Sequence, residues 1–227
     1  SMRVSPSGIV AILTASLMSV AMSGCSMFGG PAAEEPLFAV VAEHDNIQVR
    51  DYEAYTIAET GVDEAYHTAT EVSFNRLLDY ISGANTGSSK IEMTAPVLVI
   101  PQGVSMISLS ENTTPQPGQD SDILNKTRQG WTVAFVLPQG MNSLNSPAPA
   151  DSRIKLVDVP ERQVATLRFT GRLRTAPIEA HRSKLAGWLD KRRMNHQADW
   201  RVAGYNPPWT IPALRRNEIQ VTLTHSN

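Results

Sequence analysis

The sequence predicts an α+β domain in which duplicated strand-helix-strand units form a distorted antiparallel β-barrel, or saddle, with two helices packed outside it. Three observations lead there. Short runs of alternating and β-branched residues recur along the chain, two longer segments have helical period, and the second half repeats the order of the first. Two half-sheets, each carrying one helix, would then close on one another.

The opening strands fall at 38–41, 47–51 and 55–62, punctuated by Asp45-Asn46, and read as a meander. Thr68-Ala69-Thr70-Glu71 has capping-box spacing, and Phe74, Leu77, Leu78 and Ile81 follow at helical period before Gly83, a residue suited to ending a helix. One amphipathic helix is predicted, starting as early as Asp63. Strands follow at 91–100 and 131–137, separated by a polar, turn-rich excursion over 102–130. The second half offers strands at 154–159 and 164–170, a helix over about 176–194, a proline loop and a strand at 218–224. Pro96 and Pro101 lie five apart with Ile100 between, as Pro207 and Pro212 do with Ile211, which also suggests duplication.

An apolar run from Ile9 to Met22 follows Arg3 and is too short for a stable membrane span. Small residues then lead to Cys25, the chain's one cysteine, so residues 1–24 read as a secretory signal. Met22-Ser23-Gly24-Cys25 looks like a bacterial lipobox, with Cys25 the lipidation site. Residues 25–36, rich in Gly, Pro and Ala, would form the lipidated N-terminus and tether, and residues 37–224 a single domain. Ser26 is not the Asp that resembles an inner-membrane retention signal. The expectation is therefore a lipid-anchored protein of the bacterial cell envelope, on the outer membrane and facing the periplasm. The alternative is an ordinary signal peptide with an incidental cysteine.

A formal net charge of −2 hides an asymmetry: residues 1–150 hold 6 basic and 15 acidic side chains, residues 151–227 hold 14 and 7. A basic second half would attract an anionic ligand, although complementary halves of one domain explain it equally well. No basic run is interleaved with aromatics at strand spacing, so nucleic acid is not indicated. Neither a nucleophile elbow, a Walker loop nor a dinucleotide fingerprint is present, and no His/Cys/Asp/Glu set has zinc-site spacing.

Near the C-terminus, Ala203-Gly204-Tyr205-Asn206-Pro207-Pro208-Trp209 joins two prolines to apolar rings, a combination that holds a binding rim rigid at little entropic cost. Arg215-Arg216-Asn217-Glu218-Ile219 follows. With Lys90-Ile91-Glu92-Met93-Thr94-Ala95-Pro96-Val97 and Tyr80-Ile81-Ser82-Gly83-Ala84-Asn85, these residues resemble the SOUL haem-binding protein family, which carries a Gly-Tyr-x-Pro-Pro loop and an Arg-Asn-Glu-Val strand. The resemblance covers roughly residues 38–223 and implies the same barrel architecture. It also implies a non-covalent tetrapyrrole ligand, haem or another flat apolar ring, in an apolar cleft between the first helix and the proline loop. Carried onto this chain, the cleft residues are Glu71, Phe74 and Leu78 on the helix, which share one face by spacing, and Tyr205, Asn206, Pro207, Pro208 and Trp209 on the loop. Glu71 fits poorly, since the family often has a base there and a carboxylate would repel a propionate.

One branch of the family is proposed to ligate iron through a histidine just before the Tyr of an Arg-x-Tyr strand. Here that strand reads Arg50-Asp51-Tyr52, so the ligand is absent. His67, four residues before Glu71 and seven before Phe74, is the replacement that helical geometry favours as metal and haem ligand, with His181 second. Met93 is polarizable, but a strand methionine usually fills core. Glu218 has two readings: a buried acid or base in a small-molecule enzyme, or the partner of an arginine that holds the loop. A third class, a ligand-free envelope interaction protein, would show a filled cleft and an exposed Trp209.

Overall fold

The computed structural model describes residues 33–102, 130–207 and 209–224. Residues 1–32, including the signal, Cys25 and most of the tether, lie outside the described residues, as do 103–129 and Pro208. The described strands are β1 (Phe38–His44), β2 (Ile47–Tyr52), β3 (Tyr55–Val62), β4 (Val97–Pro101), β5 (Trp131–Val136), β6 (Lys155–Val159), β7 (Arg162–Phe169), β8 (Arg201–Gly204) and β9 (Asn217–Thr222). Helix α1 (Tyr66–Ile81) joins β3 to β4, and α2 (Thr175–Lys191) joins β7 to β8. All strand pairs are antiparallel, giving one curled half-barrel sheet in the order β1-β2-β7-β9-β8-β4-β5-β3-β6.

From β2 to β6 this order reads alike on either side of the β8–β4 junction, where Val99 pairs with Val202. The duplication expected from sequence is thus present in topology. The proline spacing does not mark it, however, because Pro96 precedes β4 while Pro207 follows β8.

Period-two alternation sorts the core onto two faces. Val99, Val133, Leu167, Val202, Ile219 and Val221 lie under the helices with Leu77, Tyr80, Leu185 and Leu189. Their strand neighbours Leu98, Ile100, Ala134 and Ala203 line the other face with Ile57, Val136 and Val159. On β9 the inward positions are Glu218, Gln220 and Thr222, all buried, so this strand presents a polar stripe to the inner face.

Helix α1 buries Ala69, Ser73, Leu77 and Tyr80 at spacings of four, four and three. Removing a side chain such as Leu77 wholly from water is worth about 1.5–3 kcal/mol. The helix begins at Tyr66 with no side-chain cap, so the Thr68–Glu71 capping signal lies inside it and the Thr70 hydroxyl donates to the Tyr66 carbonyl at 2.8 Å. Packing outweighed the local signal: the Tyr66 ring meets Trp131 edge-on at 5.1 Å. Gly83, with φ of 122°, follows the Ser82 cap as expected. Helix α2 stops at Lys191 rather than near 194, because Arg193 turns to φ 53° and Met194 N–H bonds back to the Leu189 carbonyl.

Residues 33–36, expected as the end of a tether, are docked. Ala95 N–H donates to the Glu34 carbonyl at 2.8 Å, Glu53 N–H to Leu37 at 3.0 Å, and the Glu35 carboxylate pairs with Arg216. Among the described residues no helix is long and apolar enough to cross a membrane.

Candidate functional site

The C-terminal strand residue Glu218 is fully buried on the inner face. Arg50 Nη1 and Nη2 donate to its two oxygens at 2.9 Å each, and Arg216 Nε and Nη2 reach Oε1 at 3.1 and 3.0 Å. The Tyr205 hydroxyl and the Gln220 amide each donate to Oε2 at 2.9 Å. These bonds fill the carboxylate's acceptor capacity. Burial alone would push its pKa up, but the charge and hydrogen bonds of Arg50, then Arg216 and Gln220, outweigh it and hold it at about 2. A carboxylate so held exchanges no proton near neutrality, which leaves Glu218 as the partner of arginines that secures the loop.

The cluster reaches outward in layers. Arg50 also donates to the Tyr52 hydroxyl at 3.0 Å and lies 4.4 Å over the Phe38 ring, which accounts for the Arg-x-Tyr pattern without a ligand role. The Arg216 guanidinium lies 3.6 Å over the Tyr205 ring, its backbone carbonyl accepts from Tyr205 N–H at 3.1 Å, and its own N–H donates to Asn206 Oδ1. The loop is therefore fixed to the strand that follows it. Beside this cluster, Asp199 accepts from Arg201 at 2.8 Å and from Thr222; burial would raise its pKa, but the Arg201 charge, the Thr222 hydrogen bonds and the Arg162 charge together outweigh it and lower it.

The opposite, helix-bearing face has a different character. Strand register sets Phe135, Val97, Gly204, Asn217 and Phe169 side by side on β5, β4, β8, β9 and β7. Phe74 of α1 meets Phe135 edge-on at 5.2 Å, and His181 of α2 stacks on Phe169 at 4.3 Å, so the row runs from one helix to the other. Helix α1 packs chiefly on β3 and β5 and α2 on β7 and β9. Between them Val97 and Gly204 are only half-buried. A Cβ on Gly204 would stand 3.6 Å from Leu173 Cδ1 and 4.0 Å from the Val97 carbonyl, so glycine keeps this floor flat. The segment that follows β8 exposes Trp209 at 83%, Ile211 at 63% and Leu214 at 61%.

A family profile described as SOUL heme-binding protein matches residues 33–222. The chain belongs to the SOUL haem-binding protein family. It is 27% identical over 197 residues to heme-binding protein 1 of Xenopus laevis, covering 86% of this chain and 93% of that protein. To heme-binding protein 1 of Bos taurus it is 26% identical over 163 residues, covering 72% and 73%. The crystal structure of the EcmrR C-terminal domain has a TM-score of 0.54 at 10% identity, covering 79% of this chain and 98% of that one, a likeness of fold alone.

Within this SOUL domain the expected cleft residues separate. Phe74 is half-buried on the row, while Leu78 is 40% exposed and Glu71 exposed on the same helix. Tyr205 was expected on the cleft wall beside them. It lies on the other face instead, because alternation along β8 turns Val202 and Gly204 toward the helices and Ala203 and Tyr205 inward. Asn206, Pro207 and Trp209 are exposed, and Pro208 is outside the described residues. The His67 side chain is 93% exposed with Nδ1 3.9 Å from Glu71, so an iron bound there would be open to water. Met93, 39% exposed, is not core filling.

Val97 and Gly204 are the half-buried part of this row, while Phe135, Asn217 and Phe169 are buried. Iron ligation is a separate matter. His181 is engaged with Phe169, its pKa lowered by burial and by Lys184, and His196 Nδ1 bonds the Gln197 carbonyl at 2.7 Å. Among the described residues no three His, Cys, Asp or Glu side chains gather to hold a metal ion. The grouping of Val97, Leu173 and Gly204 escaped the sequence; the signal was a glycine in β8 opposite a valine, readable only once strand register is known.

Proposed function

We propose that this protein is a tetrapyrrole-binding lipoprotein of the bacterial envelope, anchored through Cys25 and facing the periplasm. Its ligand, haem or a related flat ring, sits on the Val97–Gly204 floor. Phe74 and Leu78 of α1 form one wall and the loop residues Asn206, Pro207 and Trp209 the other. The observation that carries this reading is the half-buried Val97–Gly204 pair between two helices, beside a loop that exposes Trp209, Ile211 and Leu214. Apolar area of that kind on a rigid scaffold suits a planar hydrophobic ligand. Membership of the SOUL family and the two heme-binding protein 1 relatives support the same ligand class.

With His67 in solvent, affinity comes from apolar contact rather than from a bond to iron. Titration of the purified protein with haemin, followed in the Soret band, should saturate at one equivalent. Iron-free protoporphyrin should bind within a few-fold of haemin, and His67→Ala should leave the Soret position unchanged. Spectra of free haemin throughout the titration would refute the reading. A strong preference for haemin that disappears in His67→Ala would make His67 the ligand.

A further inference from the structure

The inner-face cluster holds two guanidinium charges, Arg50 and Arg216, against the one carboxylate of Glu218. One positive charge is left over. Glu35 supplies the missing anion: Arg216 Nη1 donates to Glu35 Oε1 at 2.8 Å and to Oε2 at 3.1 Å. It does so from the edge of the domain, on a strap (residues 33–37) held otherwise by the Ala95–Glu34 and Glu53–Leu37 backbone bonds and by Gln139 N–H donating to Glu34 Oε1. The strap is shallowly seated. Glu35 keeps a third of its side-chain exposure, Leu37 is 44% exposed, and a cavity of about 50 Å³ lies beneath, lined among others by Glu35, Leu37, Tyr55, Thr94 and Val136. Short, exposed segments with few buried contacts open locally at low free energy.

Arg216 itself cannot follow the strap, because Glu218, the Tyr205 ring and Asn206 hold it at the base of the proline loop. We propose that Arg216 is a carboxylate-binding position of this protein, occupied at rest by Glu35, and that the carboxylate of a ligand displaces the strap to take it. Arg216 Nε and Nη2 stay committed to Glu218, so Nη1 is the donor that an incoming carboxylate takes over from Glu35, and the exchange keeps the cluster neutral.

The test uses benzoate, which has a carboxylate and no macrocycle. At low salt Glu35→Gln should bind benzoate at least tenfold more tightly than the wild type, and the gain should shrink with added salt and vanish in Glu35→Gln/Arg216→Gln. Equal affinity in Glu35→Gln and wild type, or a gain that survives loss of Arg216, overturns the proposal. The wild type gives a second readout that needs no variant. Saturating benzoate should speed hydrogen exchange at the Ala95 and Glu53 amides, which the strap protects, and unchanged exchange with benzoate bound overturns the displacement.

Discussion

Arg50 and Glu218, 168 residues apart in sequence, meet through two parallel hydrogen bonds of 2.9 Å that tie β2 to β9 across β7. Both side chains are out of water, so the pair is worth less as a stabiliser than as a constraint. Losing one partner strands a buried charge. Arg50→Met or Glu218→Leu alone should therefore cost about 3–5 kcal/mol in urea unfolding, while the double variant, in which Arg216 keeps Glu35, should recover most of that loss. Additive costs in the double variant would mean that the pair is not coupled.

The same carboxylate sets the acid limit of the fold. Its pKa falls from an ordinary 4.5 to about 2 on folding, so its contribution is complete above pH 4.5 and lost as pH drops through 2. That contribution is on the order of 3 kcal/mol, and Asp199, also lowered, acts in the same direction. Unfolding free energy measured between pH 6 and 2 should fall chiefly below 4.5, and Glu218→Gln should flatten the slope. A wild type equally stable at pH 2 and pH 6 would contradict the assignment.

On the helix-bearing face, Gly204→Val should fill the floor. Because an added Cβ makes only ordinary contact with Leu173, the fold should tolerate it, while protoporphyrin affinity drops at least tenfold, about 1.4 kcal/mol. Trp209→Ala should weaken the same ligand by roughly 1–3 kcal/mol with no change in unfolding midpoint, since that ring is almost wholly exposed. Undiminished binding in both variants would place the ligand elsewhere.

Cys25→Ser should move the protein from the membrane fraction to the soluble periplasmic fraction. Each buried acyl methylene contributes about 0.8 kcal/mol, so several chains anchor a protein durably and their loss releases it. A wild type that fractionates as soluble would end the lipoprotein reading.

Much of this architecture was legible in the sequence because local pattern and tertiary role agree. Tyr55–Val62 is a strand by alternation and a strand in the fold, and Gly83 ends α1 where a left-handed residue is needed. The failures share a cause. β8 is four residues long, too short for periodicity to show, and its register decides which side of the sheet Tyr205 and Gly204 face. The start of α1 at Tyr66 falls between the Asp63 and Thr68 that the sequence allowed, and packing of Tyr66 on Trp131 left the Thr68–Glu71 cap signal inside the helix. Glu218 was marked as an acid beside Arg215 and Arg216, yet its principal partner, Arg50, lies at the other end of the chain, where no local spacing points.

A chain folded from two like halves carries each position twice. Counting from the paired Val99 and Val202, the residue two before each is Val97 in one half and Trp200 in the other, and the residue two after is Pro101 and Gly204. The copies have diverged in volume. Trp200 is 3% exposed, with the Arg182 guanidinium 5.6 Å over its ring and His196 edge-on at 5.1 Å. Its indole fills one end of the seam as a guest would, built in covalently and permanently. At the other end valine and glycine hold far less volume and stay half-buried, so two halves alike in topology close their shared seam in two different ways.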